Sequence, residues 1–134
     1  LPEDFALDPP DLTIIQEIEI TGKWNGDAML FIYKDPLTLE SVYATIVDNI
    51  SNFTSPDLVK NDHYAIEDIG EHAYFAGVRM TDVNYATLVF RRCSAIVQII
   101  LLHNPGDYEI SEYARKMDER LQLAACVEIN SENY

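Results

Sequence analysis

The chain has 134 residues, 48% of them hydrophobic and 24% charged, with five glycines and six prolines. That length makes a single domain, residues 1–134, with a core large enough to fold without metals or many staples. The composition argues against long disordered segments. Nine basic against 23 acidic residues leave a formal charge of −14, a field that repels phosphates and excludes nucleic acid as a partner. The acidity reads as a solubility coat, with calcium or a basic partner as the functional alternative. The longest apolar run, Ala95 to Leu102, is broken by Gln98 and falls short of the ~18 residues of a membrane helix, so this segment is expected not to insert. Leu1, in place of an initiator Met, is read as the mark of a removed signal segment or of a shortened chain.

The first element is a hairpin. "LTIIQEIEITGKW" and "DAMLFIYK" flank Asn25-Gly26, a dipeptide suited to a two-residue turn because both positions accept φ > 0. A turn there sets Trp24 against Asp27, Ile20 against Phe31, Ile18 against Tyr33 and Glu17 against Lys34, the last an opposite-charge pair. One face then collects Ile14, Ile18, Ile20, Met29, Phe31 and Tyr33.

Asp35 and Pro36 are suited to the N-cap and first position of a helix. Leu39, Val42, Tyr43, Ile46, Val47, Ile50 and Phe53 follow with the spacing of a wide buried stripe, and Pro56 stops the helix. "SPDLVKNDH" reads as a loop. "YAIEDIGEHAYFAGVRM" and "NYATLVFRRC" read as strands with turns near Gly70 and at "TDVN", and "AIVQIILL" as a strand folded back at Cys93-Ser94. Beyond the "HNPGD" breaker, a second helix is capped by Asp107 and buries Ile110, Tyr113, Ala114, Met117, Leu121 and Ala124.

The order β-β-α-β-β-β-β-α with short turns predicts an α+β domain, a mostly antiparallel sheet of about six strands covered by two amphipathic helices. Several strands are apolar on both faces, with Ala86, Leu88 and Phe90 on one side and Thr87 and Val89 on the other. That favours a three-layer α/β/α sandwich.

Cys93 is a poor residue for a tight turn. The strand after it carries the chain about 23 Å away, and the second helix returns roughly 27 Å, which lands Cys126 beside the bend. A Cys93–Cys126 disulfide is therefore expected, and would place the protein outside a reducing cytosol. The other reading is a buried, apolar Cys126 with Cys93 a free surface thiol.

"IEDIGEHAYFAG", "LVFRRCSAIVQIIL" and the closing "YARKMDERL" helix, from Ile66 to Leu121, resemble a pattern of small bacterial secreted or lipid-anchored domains. In that pattern a Gly-Asp-x-Ala-Tyr-like strand leads to a hairpin turning at Gly-Asn and a final amphipathic helix. The mycobacterial LpqN-type lipoproteins and the PsbP-like domains belong to this group. The resemblance implies a PsbP-like sandwich serving as an extracytoplasmic accessory or ligand-binding module, generally without catalysis. Cys93-Ser94 departs from the Gly-Asn turn and Glu71-His72 from the usual pair after Gly70. The matching positions are structural, so no site residue carries over.

No cofactor is expected: the chain holds no Gly-rich phosphate loop, Gly-x-Ser-x-Gly, Cys-x-x-Cys, His-Glu-x-x-His or EF-hand loop. The densest polar stretch, "NDHYAIEDIGEH", offers His63, Glu67 and His72 as candidate metal ligands if three groups converge; a solvated turn is the other reading. Trp24, with Tyr33 and Tyr43, is the candidate for an aromatic ligand platform, against the reading of all three as packing. Asn49-Ile50-Ser51 and Asn52-Phe53-Thr54 match the glycosylation pattern, which has no meaning in a bacterial source.

These features point to a secreted, periplasmic or lipid-anchored module, a monomer or weak oligomer. It is expected to present a surface to a protein partner in the cell envelope or extracellular space, or to a ligand. The alternatives are a small metal-dependent hydrolase using the Asp62–His72 region and a structural subunit of an envelope assembly.

Overall fold

The computed structural model describes residues 8–20, 22–103 and 106–132, without the side chains of 24, 124–125 and 127–132. The elements are β1 (Leu12–Ile20), β2 (Trp24–Ile32), α1 (Pro36–Ser51), β3 (Leu58–Ile66), β4 (His72–Met80), β5 (Asn84–Arg92), β6 (Ala95–Leu101) and α2 (Asp107–Glu132). The six strands form one sheet in the order β1-β2-β6-β5-β4-β3, and every neighbouring pair is antiparallel. The α+β class and the element order thus follow the reading of the sequence.

The core is divided. One cluster gathers Ile18 and Ile20 of β1, Ala28, Phe75, Leu88, Phe90, Val97 and Ile99 with Ile110 and Ala114 of α2. The other gathers Tyr33, Val89 and Ile96 with Leu39, Val42 and Ile46 of α1. Successive residues of a strand point to opposite faces, so β5 sends Leu88 and Phe90 to the first cluster and Val89 to the second. Each helix presents a stripe at the expected spacing, except that α1 ends at Ser51 and Phe53, expected in its stripe, lies beyond it against Tyr85; the side chain of Ala124, expected in that of α2, lies outside the described residues. Asp35 holds the start of α1 by accepting from the Leu37 N–H at 3.4 Å and from the Thr38 hydroxyl at 2.6 Å.

The first hairpin departs from expectation. It turns around Gly22 and Lys23, where Gly22 has φ 68° and the Lys23 N–H donates to the Ile20 carbonyl at 3.1 Å. Asn25 and Gly26 lie inside β2, so Trp24 faces Ile20 and Glu17 faces Asp27 rather than Lys34. The displacement is an odd number of residues, which turns one strand over relative to the other. Ile18 and Ile20 therefore pack in the α2 cluster while Phe31 and Tyr33 serve α1. Gly26 is needed for a close approach instead of a turn, because a Cβ there would collide with the Ile100 backbone of β6.

The two glycines separate in a test. Gly26→Ala is expected to cost about 1–3 kcal/mol through overpacking. Gly22→Ala, in open space but at positive φ, should cost about 1 kcal/mol. Urea midpoints measure both, and a neutral Gly22→Ala would contradict this turn.

Three smaller differences concern β3 and α2. Leu58 to His63, read as loop, belongs to β3, whose mostly exposed residues conceal the strand periodicity. Asp107 is the first residue of α2 rather than a cap before it, and its carboxylate accepts from the Tyr64 hydroxyl at 2.6 Å. The helix also runs on past Cys126 to Glu132.

Candidate functional site

Cys93 and Cys126 are joined, with 5.4 Å between their Cα atoms. Cys93 has φ 55° and is the first of the two residues between β5 and β6, where a primed hairpin turn needs positive φ. A residue with a Cβ pays for that conformation, and the disulfide accounts for its presence. The staple ties α2 to the hairpin end. A second tie lies nearby: the Asp118 carboxylate of α2 accepts from Arg92 Nε at 2.7 Å, Arg92 Nη2 at 3.0 Å and the Gly70 N–H at 2.8 Å. Asp118 is only 5% exposed. Burial would raise its pKa, but the hydrogen bonds from Arg92 and Gly70 outweigh it and hold the carboxyl below its ordinary value.

The candidate metal ligands do not converge. His63, on β3, shares a hydrogen bond through Nδ1 with the Tyr74 hydroxyl. His72 faces Arg91 across β4 and β5, and its ring lies 6.5 Å from that of Tyr43. Glu67 is exposed in the turn before Gly70. Among the described residues no three His, Cys, Asp or Glu side chains are placed to hold a metal ion.

Tyr43 and Tyr33 do not form a platform either. The Arg91 guanidinium stands 5.8 Å from the Tyr43 ring centre, and burial pushes the Tyr43 hydroxyl up to about 12, with Arg91 opposing the shift. Tyr33 is buried, and its hydroxyl donates to the Asp8 carbonyl at 2.8 Å. Trp24 opens β2 opposite Ile20; its side chain lies outside the described part of the structure. A pocket of about 220 Å³ beneath the end of α1 is lined by Asn49, Tyr85, Thr87 and Gln98 with aliphatic and aromatic neighbours, and the Gln98 amide donates to the Thr87 hydroxyl at 3.3 Å.

Among the described residues, α1 packs on β3, β4, β5 and β6 and leaves the β1 side of the sheet uncovered. Six strands span roughly 24 Å, whereas a helix is about 10 Å across, so α1 leaves one corner of its face open. That corner carries Ile15, Glu17 and Glu19 of β1 beside Asp27 and Met29 of β2. Glu17, Glu19, Asn25 and Asp27 line an open cleft of about 510 Å³ that ends at Leu102. Leu12, Ile14 and Ile15 are 52%, 48% and 65% exposed.

β1 is also an edge, paired with β2 residue for residue over its whole length. Half of the backbone groups of such a strand point away from its partner, and edges of this kind are templates for another strand unless blunted. The opposite edge, β3, is blunted: its register shifts between Leu58 and Lys60, Lys60 pairs with Asp62 at 3.4 Å, and Tyr64 is tied to Asp107. β1 contains neither Lys nor Pro, and its only charged residues are Glu17 and Glu19 in its second half. The site is hidden in the sequence because a turn at Asn25-Gly26 pairs Glu17 with Lys34 instead of Asp27. The signal available was the long run "LTIIQEIEI" with no basic or proline gatekeeper.

At a significant level the chain matches no family model, no curated protein and no solved structure. None of the described helices is long and apolar enough to cross a membrane.

Proposed function

We propose that the chain is an extracytoplasmic, non-catalytic binding or accessory module that docks a protein partner along β1. The observation that carries this reading is the nine-residue edge strand with three exposed aliphatic side chains, set against an opposite edge that is irregular and tied down. The Cys93–Cys126 disulfide is compatible with a secreted, periplasmic or lipid-anchored location. The division of the core between α1 and α2 supports an α/β/α sandwich of the kind that the likeness to LpqN-type and PsbP-like domains implies. The hydrolase alternative requires ligands to converge between Asp62 and His72, where His63 and His72 instead engage Tyr74 and Tyr43.

A photo-reactive phenylalanine analogue placed at Ile15, and separately at Val59 on the other edge, tests the reading in the cell of origin. Discrete cross-links are expected from residue 15 and not from residue 59. Equal labelling from both edges, or none from residue 15, would refute docking at β1.

A further inference from the structure

The β1 edge combines three features that together restrict its occupant. Its backbone is regular: all nine residues pair with β2 without a bulge, so among the described residues an added strand meets a row of outward N–H and C=O groups before Ile20. The first half is apolar and exposed on both faces, Leu12 and Ile14 on one and Ile15 on the other. The second half is acidic on one face, with Glu17 opposite Asp27 and Glu19 two residues further along the same face.

The acidic half decides the chemistry. Like charges directly opposite each other across two strands are unfavourable, yet β1 and β2 hold Glu17 and Asp27 in that relation at the wall of the cleft. A cation seated between them offsets the repulsion. A second copy of this chain is a poor occupant, since each copy carries a formal charge of −14 and would set one acidic strand beside another. The same carboxylates therefore discourage self-pairing and favour a strand of opposite charge, attraction and rejection built from one set of groups.

We propose that β1 accepts an extended, lysine- or arginine-bearing segment of a partner protein as a seventh strand. The apolar side chains of that segment lie against Leu12 and Ile14 on one face, and its cations enter the cleft of Glu17, Glu19 and Asp27 on the other. The inference rests on the reading of the chain as a β1-docking module and adds the charge and conformation of what docks.

The probe is a synthetic peptide of about nine residues, enough to match β1, that alternates valine and lysine. Two counterparts carry glutamine or glutamate in place of every lysine. Binding is followed by backbone amide chemical shifts of the intact, oxidised protein. The lysine peptide is expected to move the amides of residues 12–19, to bind about tenfold more tightly than the glutamine peptide, and to lose that advantage in salt. The double variant Glu17→Gln/Asp27→Asn should weaken the lysine peptide about tenfold. The double variant Glu40→Gln/Glu119→Gln, which removes the same charge from exposed helix positions, should leave it within about twofold.

Equal affinity of the glutamine and lysine peptides at β1 would overturn the cationic specificity and leave edge docking standing. Equal weakening by both double variants, or shifts scattered over the acidic surface, would reduce the interaction to bulk charge and overturn the proposal. No shift in β1 with any of the three peptides would overturn edge docking as well.

Discussion

Replacing both cysteines with serine is expected to lower the stability of the fold by about 4 kcal/mol in the chain-entropy description. The cross-link joins residues 33 apart and ties the last helix to the sheet, so its loss enlarges the unfolded ensemble. For a domain of this size the midpoint should fall roughly 15 °C in a thermal scan. Position 93 divides the effect. The turn still asks for positive φ at residue 93 once the disulfide is gone, a conformation that serine holds at a cost and glycine takes freely. The variant Cys93→Gly/Cys126→Ser should therefore be more stable than Cys93→Ser/Cys126→Ser by about 1 kcal/mol. Equal midpoints for the two would show that the turn relaxes once the disulfide is gone.

Asp118→Ala should have an effect of similar size. It removes the acceptor of two Arg92 hydrogen bonds and of the Gly70 N–H, and breaking a buried pair from one side costs about 3–5 kcal/mol. Arg92 is partly exposed and can rehydrate, which places the cost near the lower bound, about 3 kcal/mol. Replacing both partners, as Arg92→Met/Asp118→Leu, should recover part of the loss and no more. The Gly70 N–H then still lacks an acceptor, at about 1–3 kcal/mol. Chemical denaturation of the three proteins measures this order, and a double variant as stable as the wild type would contradict it.

The same carboxylate contributes to the acid limb of the pH dependence. Its folded pKa lies below the ordinary value, so the unfolded chain binds the proton more readily. The stabilisation from Asp118 is present above the unfolded pKa of about 3.9 and is lost as pH falls through the lower folded value. Asp118→Asn should flatten the acid limb of the stability curve below about pH 4 and leave its slope near neutrality unchanged.

How far the sequence carries the fold varies with the kind of signal. The α1 cap at Asp35-Pro36, its stripe from Leu39 to Ile50 and the alternation of β5 are dictated by short-range periodicity, and the structure has them. The meeting of Cys93 with Cys126 followed from the lengths of one strand and one helix, quantities that backbone geometry makes reliable. The first hairpin resisted because two glycines competed for the turn. Asn25-Gly26 has the better local preference, but Gly26 is needed where β2 passes the Ile100 backbone, a requirement set by a strand far along the chain. That displacement hid the acidic corner, since the pairing of Glu17 with Asp27 exists only in the observed register. Asp118 was legible in retrospect: it lies four residues after Ala114 and eight after Ile110, within the buried row of α2, and a charge in such a row needs a partner.

Amide hydrogen exchange along β1 of the oxidised protein alone tests the account most directly. An open edge predicts alternation, with the inward N–H groups bonded to β2 protected and the outward ones between them exchanging at rates close to those of free peptide. Uniform protection from residue 12 to residue 20 would mean that the edge is already occupied, by the chain itself or by a second copy, and would contradict docking at β1.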